Sequence, residues 1–191
     1  MSKKHIISIA GRPGSGKSTT SKGVAAALGY RHYSTGDFFR QIGQEMGLDV
    51  LETNKAAAAR GEIDQRVDDR QKFLGENEEN FVIDARLAWF FIPDSFKVYL
   101  DLDLRVAAER ILAGIDSARQ ASENIPQTPE EYAEVLKERL VSESTRYKSL
   151  YDADPSDLAN YDLEVDTGIN SIEEVVEVIT EAYHSWCEKQ N

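Results

Sequence analysis

This sequence contains almost no cysteine and no long hydrophobic run. The single cysteine, Cys187, excludes an intramolecular disulfide and favours a reducing compartment. No apolar stretch approaches the roughly 20 residues that a membrane-spanning helix requires. The residues before the first apolar run, Met1–His5, leave no room for the apolar region of a signal peptide. We therefore expect a cytoplasmic protein.

Positive charge is also scarce. The 191 residues include 22 lysines and arginines against 34 aspartates and glutamates, so the net charge is −12 at pH 7. This balance argues against a general nucleic-acid or anionic-membrane surface, because both require a basic face. An enzyme of this charge that binds anionic nucleotides must gather its few cationic side chains locally. The length fits one domain with a sizeable core.

A glycine-rich turn near the beginning organises the sequence. A β-branched apolar run at 6–10 precedes this turn, and a helix-favouring segment at 17–28 follows it. The turn fits G-x-x-x-x-G-K-[ST], in which glycines let backbone N–H groups face phosphate oxygens. In this pattern the lysine reaches the β- and γ-phosphates, and the serine binds Mg²⁺. We predict a nucleoside triphosphate site formed by Gly11, Pro13, Gly14, Ser15, Gly16, Lys17, Ser18 and Thr19, with Ser18 as the Mg²⁺ ligand.

Strand and helix patterns alternate along the rest of the chain. Further strands are predicted at 30–33, 81–84, 96–102 and 163–166. Helices are predicted at 38–46, around 51–60, at 63–74 and 104–113, from 129 to about 151 and after Ser171. Strands separated by helices imply a parallel sheet covered on both faces, with ligands beyond the carboxyl ends of the strands. The turns after the first three strands should therefore converge at one edge.

Two of those turns carry arginines suited to a second phosphate group. After the second strand, the turn at 34–37 contains Gly36, and Arg40 lies one helical turn further on. After the third strand, Asp84 is placed to hold a Mg²⁺-bound water, and Arg86 is placed to clamp a phosphate. Either arginine alone is more readily explained as a solvated surface residue. Their shared position past two strand ends favours phosphate binding.

Four more arginines flank a glycine- and serine-containing loop at 114–127. Arg105 and Arg110 lie on the helix before the loop, and Arg139 and Arg146 lie on the long helix after it. The spacing of the second pair places both side chains on one helix face. Phosphoryl transfer requires such cations to neutralise the charge on the migrating group. Paired surface charges on acidic helices are the alternative, above all for Arg105.

These motifs resemble those of the nucleoside monophosphate kinases, and most closely the archaeal-type cytidylate kinases. The resemblance covers nearly the whole chain and rests on the glycine-rich loop and the segments 34–40, 63–71 (IDQRVDDRQ), 82–89, 139–147 and 161–167. It implies an α/β P-loop NTPase fold with three layers and a five-stranded parallel sheet. The core would comprise 1–35, 81–113 and 129–191. A helical monophosphate-binding insertion would occupy 36–80, and a short lid would occupy 114–128.

The resemblance also implies a role for each candidate residue. The cations of catalysis would be Lys17, Arg86, Arg139 and Arg146. The acceptor would be bound by Ser34, Gly36, Arg40 and Arg86, while Arg110 would lie near ATP and Asp84 near Mg²⁺. Asp64 and Asp68 would read the cytosine amino group, because a carboxylate accepts the N4–H₂ donor that uracil lacks. Solvated helix charges are an equally good account of these two aspartates.

The expected activity is transfer of the γ-phosphoryl group of ATP to CMP, and also to dCMP, by a monomer that binds neither nucleic acid nor membrane. Kinases of another small acceptor, such as AMP, UMP or shikimate, and a regulatory module without turnover are the alternatives. A shikimate kinase would carry an Asp-x-Asp pair at 34–37. A switch GTPase would carry Asn-Lys-x-Asp, whereas the only Asn-Lys here, Asn54-Lys55, is followed by alanines.

Two positions depart from the family's pattern. Ala85 stands after the third strand where the family usually has glycine. The predicted lid contains a single basic residue, Arg119, where more would be expected. The first departure bears on how the acceptor approaches the sheet, and the second on whether the lid takes part in catalysis.

Overall fold

Five parallel strands form the centre of the molecule. The computed structural model describes residues 4–48, 52–53, 56, 61–115 and 125–189, so most of the helix predicted around 51–60 and most of the predicted lid, with Arg119, lie outside it. The strands are β1 (Ile6–Gly11), β2 (Arg31–Ser34), β3 (Phe81–Asp84), β4 (Phe96–Asp101) and β5 (Leu163–Asp166). Their order is β2-β3-β1-β4-β5, and every pairing is parallel. The predicted five-stranded parallel sheet is confirmed.

Helices alternate with the strands and cover both faces of the sheet. Within the described ranges they are α1 (Lys17–Leu28), α2 (Thr35–Glu45), α3 (Glu62–Asn77), α4 (Ala88–Phe91), α5 (Leu104–Ala113), α6 (Pro129–Tyr151) and α7 (Ile172–Glu188), with a 3₁₀ turn at Leu158–Asn160. Thr128 caps α6 by accepting a hydrogen bond from the backbone of Glu131, and Ser171 and Glu174 form a capping box at α7. None of these helices is long and apolar enough to cross a membrane.

Two boundaries beside the site differ from the prediction. The strand predicted at 30–33 spans Arg31–Ser34, and the helix predicted to begin at residue 38 begins at Thr35. The predicted turn at 34–37 is therefore the end of β2 joined directly to the first turn of α2. Asp37 suits that first turn because a carboxylate is stabilised at a helix N-terminus. Helix α4 has no counterpart in the prediction, because four residues are too short to show a helical period.

Apolar side chains fill both sides of the sheet. On β1, Ile7 and Ile9 pack with α1 and α7, whereas Ile6 packs with α2 and α3 on the opposite face. This division follows the two-residue period of a strand. A third cluster joins α5 and α6 around Leu102. The three layers hold the carboxyl ends of β1, β2 and β3 along one edge, where the predicted site residues lie.

Candidate active site

The glycine-rich loop connects the carboxyl end of β1 to the first turn of α1. A Cβ atom on Gly11 would lie 2.3 Å from the carbonyl oxygen of Leu100 on β4, so only glycine fits there. Gly16, with φ of 79°, adopts a left-handed conformation that side chains disfavour. The first turn of α1 carries no acidic residue, so its free N–H groups favour an anion. The other predicted loop residues lie in the loop or in this first turn: Pro13, Gly14, Ser15, Ser18 and Thr19.

Lys17 lies within this loop and donates to its backbone. Its ammonium nitrogen is 3.0 Å from the carbonyl oxygen of Gly11 and 3.0 Å from that of Arg12. Burial, reinforced by the positive charge of Arg86, lowers the pKa of Lys17 to about 7. Neutral carbonyls stabilise an ammonium less than phosphate oxygens do. A phosphate bound on the loop would therefore raise the pKa of Lys17 again.

Arg86 joins the glycine-rich loop to α6. Its Nη1 donates to the carbonyl oxygen of Gly11 at 3.0 Å, and its Nε is 2.8 Å from Oε2 of Glu143. The second carboxylate oxygen of Glu143 accepts from Nε of Arg139 at 2.9 Å. Glu143 thus holds two of the predicted catalytic arginines together. No function was predicted for Glu143 itself, although its position four residues after Arg139 is a pattern typical of a helix ion pair.

Asp84 lies at the end of β3 and is fixed by β2. Its Oδ1 accepts from the hydroxyl of Ser34 at 2.9 Å, and its Oδ2 is 3.1 Å from Nε2 of His32. Ser34 therefore positions this carboxylate, and its hydroxyl does not cap α2. The hydroxyl of Ser18 and the carboxylate of Asp84 are oxygen donors of the kind that Mg²⁺ prefers. No group of three or more His, Cys, Asp or Glu side chains in the described ranges could hold a metal.

A cleft of about 400 Å³ lies between α2, α3 and α6, and Arg86, which bonds Gly11 of the glycine-rich loop, is part of its lining. It collects most of the residues predicted to bind the acceptor or to act on it: Gly36, Asp64, Asp68, Arg86, Arg139 and Arg146. Ala85, the residue that departs from the family's pattern, also lines it. Arg40 lies outside this lining and pairs with Asp37 at 2.5 Å, half-exposed. The structure thus brings three predicted arginines to one cleft and places the fourth beside it.

The two predicted base-reading carboxylates lie in the cleft and already have partners. Asp64 accepts from Nη1 of Arg146 at 3.1 Å. Asp68 accepts from the hydroxyl of Tyr151 on α6 and, at 3.3 Å, from Nε2 of Gln71. Burial raises the pKa of Asp68, and the hydrogen bond from Tyr151 opposes that rise. The same burial and the neighbouring Asp68 raise the pKa of Tyr151.

The remaining two arginines lie on α5. Arg110 donates from Nη2 to the carbonyl oxygen of Thr167 at 2.8 Å. Both residues line a second cleft of about 290 Å³ that also includes Gly14 and Gly16 of the loop. Arg105 is exposed and pairs with Glu109 at 3.5 Å and Glu130 at 2.9 Å. The alternative of a paired surface charge therefore describes Arg105 best.

Proteins of known family match most of this chain. A family model described as an AAA domain matches residues 7–137. Cytidylate kinase of Natronomonas pharaonis is 36% identical over 183 residues, which cover 95% of this chain and 90% of that protein. Cytidylate kinase of Methanocaldococcus jannaschii is 35% identical over 182 residues, which cover 93% of this chain and 96% of that protein.

Solved structures share the fold at lower identity. Shikimate kinase from Bacteroides thetaiotaomicron superposes with a TM-score of 0.65 at 16% identity, covering 94% of this chain and 98% of that chain. A gluconokinase from Sinorhizobium meliloti superposes with a TM-score of 0.56 at 16% identity, covering 100% of this chain and 97% of that chain. At such identity the similarity describes the fold alone.

Proposed function

This chain belongs to the cytidylate kinase family and is a nucleoside monophosphate kinase, and from that premise we propose that ATP is its donor and that CMP and dCMP are its acceptors. The observation that carries this proposal is the position of Arg86. Its guanidinium bonds the glycine-rich loop through Gly11 and also lines the cleft between α2, α3 and α6. One cation therefore lies between a site for the donor phosphates and a site for the acceptor.

The donor nucleotide would bind along the glycine-rich loop. Its β- and γ-phosphates would accept from the loop backbone and from Lys17. Arg110 and the smaller cleft that it lines would receive the adenosine part of ATP. Ser18 and Asp84 would hold Mg²⁺ together with phosphate oxygens, and the bound ion would neutralise charge on the β- and γ-phosphates.

The acceptor would bind in the larger cleft. Arg86 would clamp its phosphate bidentately, and Arg40 would join it after leaving Asp37. Gly36 lines the cleft and has no side chain that would obstruct the acceptor. Ser34 would act indirectly, because its hydroxyl donates to Asp84 and positions that carboxylate. Helices α2 and α3 would thus form the monophosphate-binding insertion predicted at 36–80. The base would lie against α3, beside Asp64 and Asp68.

Transfer itself would be a direct displacement. An oxygen of the acceptor phosphate attacks the γ-phosphorus of ATP, and the bond from that phosphorus to the β–γ bridging oxygen breaks, which leaves ADP and the nucleoside diphosphate. Arg139 and Arg146 would release Glu143 and Asp64 to neutralise the migrating group. No general base is needed, because the acceptor phosphate is already anionic. Closure of the lid at 114–128 would exclude water from the step.

The affinity for ATP should depend on pH through Lys17. The free protein loses the Lys17 proton above its pKa of about 7, whereas bound phosphates favour the protonated form, so ATP binding takes up a proton. We expect the Kd for ATP to rise about tenfold per pH unit between pH 7.5 and 9. Calorimetry in buffers of different ionisation enthalpy measures both the Kd and the proton uptake. Lys17→Met should bind more weakly and without this slope, and a flat wild-type profile would contradict the prediction.

An acceptor panel tests the proposed function. ADP release from ATP and Mg²⁺ is measured with CMP, dCMP, UMP, AMP, GMP and shikimate in turn. Turnover with CMP and dCMP is expected to exceed that with the other acceptors by at least about tenfold in kcat/KM. A preference for AMP or UMP would keep the kinase assignment but reject the cytidylate acceptor. Binding of ATP without turnover on any acceptor would favour the regulatory alternative.

We also propose that the enzyme works as a cytoplasmic monomer. Its donor and acceptor residues come from one chain, so a second copy is not required to complete either cleft. The single cysteine is compatible with a reducing compartment. Size-exclusion chromatography with light scattering at working concentration tests the monomer, and a stable dimer of full activity would contradict it.

A further inference from the structure

Gln71 on α3 carries a buried acceptor atom that nothing in the described part of the chain satisfies. The residue is 3% exposed and lines the larger cleft. Its amide oxygen Oε1 is buried and has no hydrogen-bond partner among the described residues. Buried amide oxygens are rarely left unpaired, because removing them from water is costly. A hydrogen-bond donor on a molecule in the cleft would satisfy it.

The direction of this amide is set by Asp68. Nε2 of Gln71 is 3.3 Å from Oδ1 of Asp68, whose other oxygen accepts from the hydroxyl of Tyr151. An ionised carboxylate only accepts hydrogen bonds, so the NH₂ end of the amide must face it. The oxygen end must then point away from Asp68. Because Tyr151 lies on α6, a hydrogen bond from a second helix holds Asp68 in place and thereby keeps Gln71 in one orientation.

We infer that Oε1 of Gln71 reads the acceptor base by accepting a hydrogen bond from the 4-amino group of cytosine, with Asp68 as the positioning residue behind it. The inference rests on the proposed function and names the atom that gives its base preference. Cytosine presents an N4–H₂ donor at this position, whereas uracil presents the O4 acceptor. Two facing acceptors repel each other, so uracil not only lacks this hydrogen bond but is also repelled by Oε1.

This assignment refines the prediction made for the two aspartates. Asp64 is paired with Arg146, and both oxygens of Asp68 already accept from protein donors. Asp68 therefore acts on the base through Gln71 and not by contact. The signal for Gln71 in the sequence is weak, because glutamine carries no charge and lies in a stretch at 64–72 where every residue but Val67 is polar.

The first test replaces Gln71 with methionine, which has similar length but no amide. The kcat/KM for CMP should fall about 10- to 100-fold, whereas that for UMP should stay the same or rise, because the variant also removes the repulsion between Oε1 and the O4 atom of uracil. Gln65→Met is the matched control, since Gln65 lies on the exposed side of the same helix and bonds Asp69 there at 2.9 Å. Equal losses with CMP and UMP in Gln71→Met would show a packing role only and overturn the inference.

The second test reverses the orientation of the Gln71 amide by a substitution at its neighbour Asp68. In Asp68→Asn, the new side chain accepts from Tyr151 through its oxygen and donates to Gln71 through its NH₂, so Gln71 turns its own NH₂ to the cleft. The CMP/UMP ratio of kcat/KM should fall at least about 100-fold, with a gain for UMP. Asp69→Asn, the same change one residue along on the exposed face, should leave the ratio unchanged. An unchanged ratio in Asp68→Asn would contradict the positioning role.

The two proposals fail separately in these experiments. If the wild-type enzyme does not prefer CMP over UMP, the proposed acceptor is wrong, whatever the variants show. If the wild-type enzyme prefers CMP and the variants keep its CMP/UMP ratio, Gln71 does not read the base, and the proposed function is unaffected. Thermal unfolding of each variant, compared with Gln65→Met and Asp69→Asn, separates a loss of fold from a loss of selectivity. The selectivity ratio is itself insensitive to the fraction of folded enzyme.

Discussion

Lys17→Ala is expected to lower kcat/KM with ATP and CMP by at least about 1,000-fold. Lys17 is the lysine of the glycine-rich loop at the N-terminus of α1, and its ammonium bonds the carbonyl oxygens of Gly11 and Arg12. Charge grows on the β–γ bridging oxygen and the γ-phosphoryl group during transfer, so a missing cation costs most in the transition state. The measurement is steady-state ADP release with each substrate varied in turn.

Lys22→Ala provides the control for this variant. Lys22 lies on the same helix with its side chain exposed, so it should keep wild-type kinetics. Loss of affinity for ATP alone, with kcat retained, would show that Lys17 only binds the ground state. Activity of Lys17→Ala within tenfold of the wild type would contradict the assignment of the glycine-rich loop as the donor site.

Arg86→Lys is expected to lower kcat about 100- to 1,000-fold although it keeps the positive charge. Arg86 uses two different nitrogens at once, Nη1 toward Gly11 at 3.0 Å and Nε toward Glu143 at 2.8 Å. The single ammonium of lysine does not reproduce this fork, nor the bidentate grip on an acceptor phosphate. The loss should appear with every nucleoside monophosphate, because it concerns the phosphate and not the base. Kinetics with CMP and UMP therefore distinguish Arg86 from Gln71.

Arg105→Lys is the matched control for Arg86→Lys. Arg105 is exposed and its partners are the surface residues Glu109 and Glu130, so the same substitution should leave kcat unchanged. Without the Arg86 guanidinium, Arg139 is the remaining arginine bonded to the carboxylate of Glu143. The free energy of unfolding should therefore fall somewhat in this variant. A folded Arg86→Lys variant with wild-type kcat would contradict the clamp.

The features that could be predicted from the sequence are those encoded by neighbouring residues. The glycine-rich loop, the strands and the capped starts of α6 and α7 each depend on a local pattern of residue types, and the structure contains all of them. The start of α2 was predicted three residues late, because Ser, Thr, Gly and Asp at 34–37 are typical of a turn as well as of a first helical turn.

The features that could not be predicted are the contacts between elements distant in sequence. The candidate site contains the pairs Arg86–Glu143 and Asp68–Tyr151, which join the turn after β3 and helix α3 to α6. Each pairing is decided by how the helices pack on the sheet, and nothing in the spacing along the chain specifies it.

Helix α3 holds Gln71, Asp68 and Asp64, whereas Lys17 and the proposed Mg²⁺ ligands, Ser18 and Asp84, belong to α1 and β3. The element proposed to select the nucleobase is thereby distinct from the elements proposed to carry out the chemistry. In evolutionary terms such a division lets a lineage acquire a new acceptor by substitutions on one helix, while the inherited transfer machinery stays under purifying selection. An altered α3 on an unaltered loop is then the expected mark of a descendant that has changed its substrate.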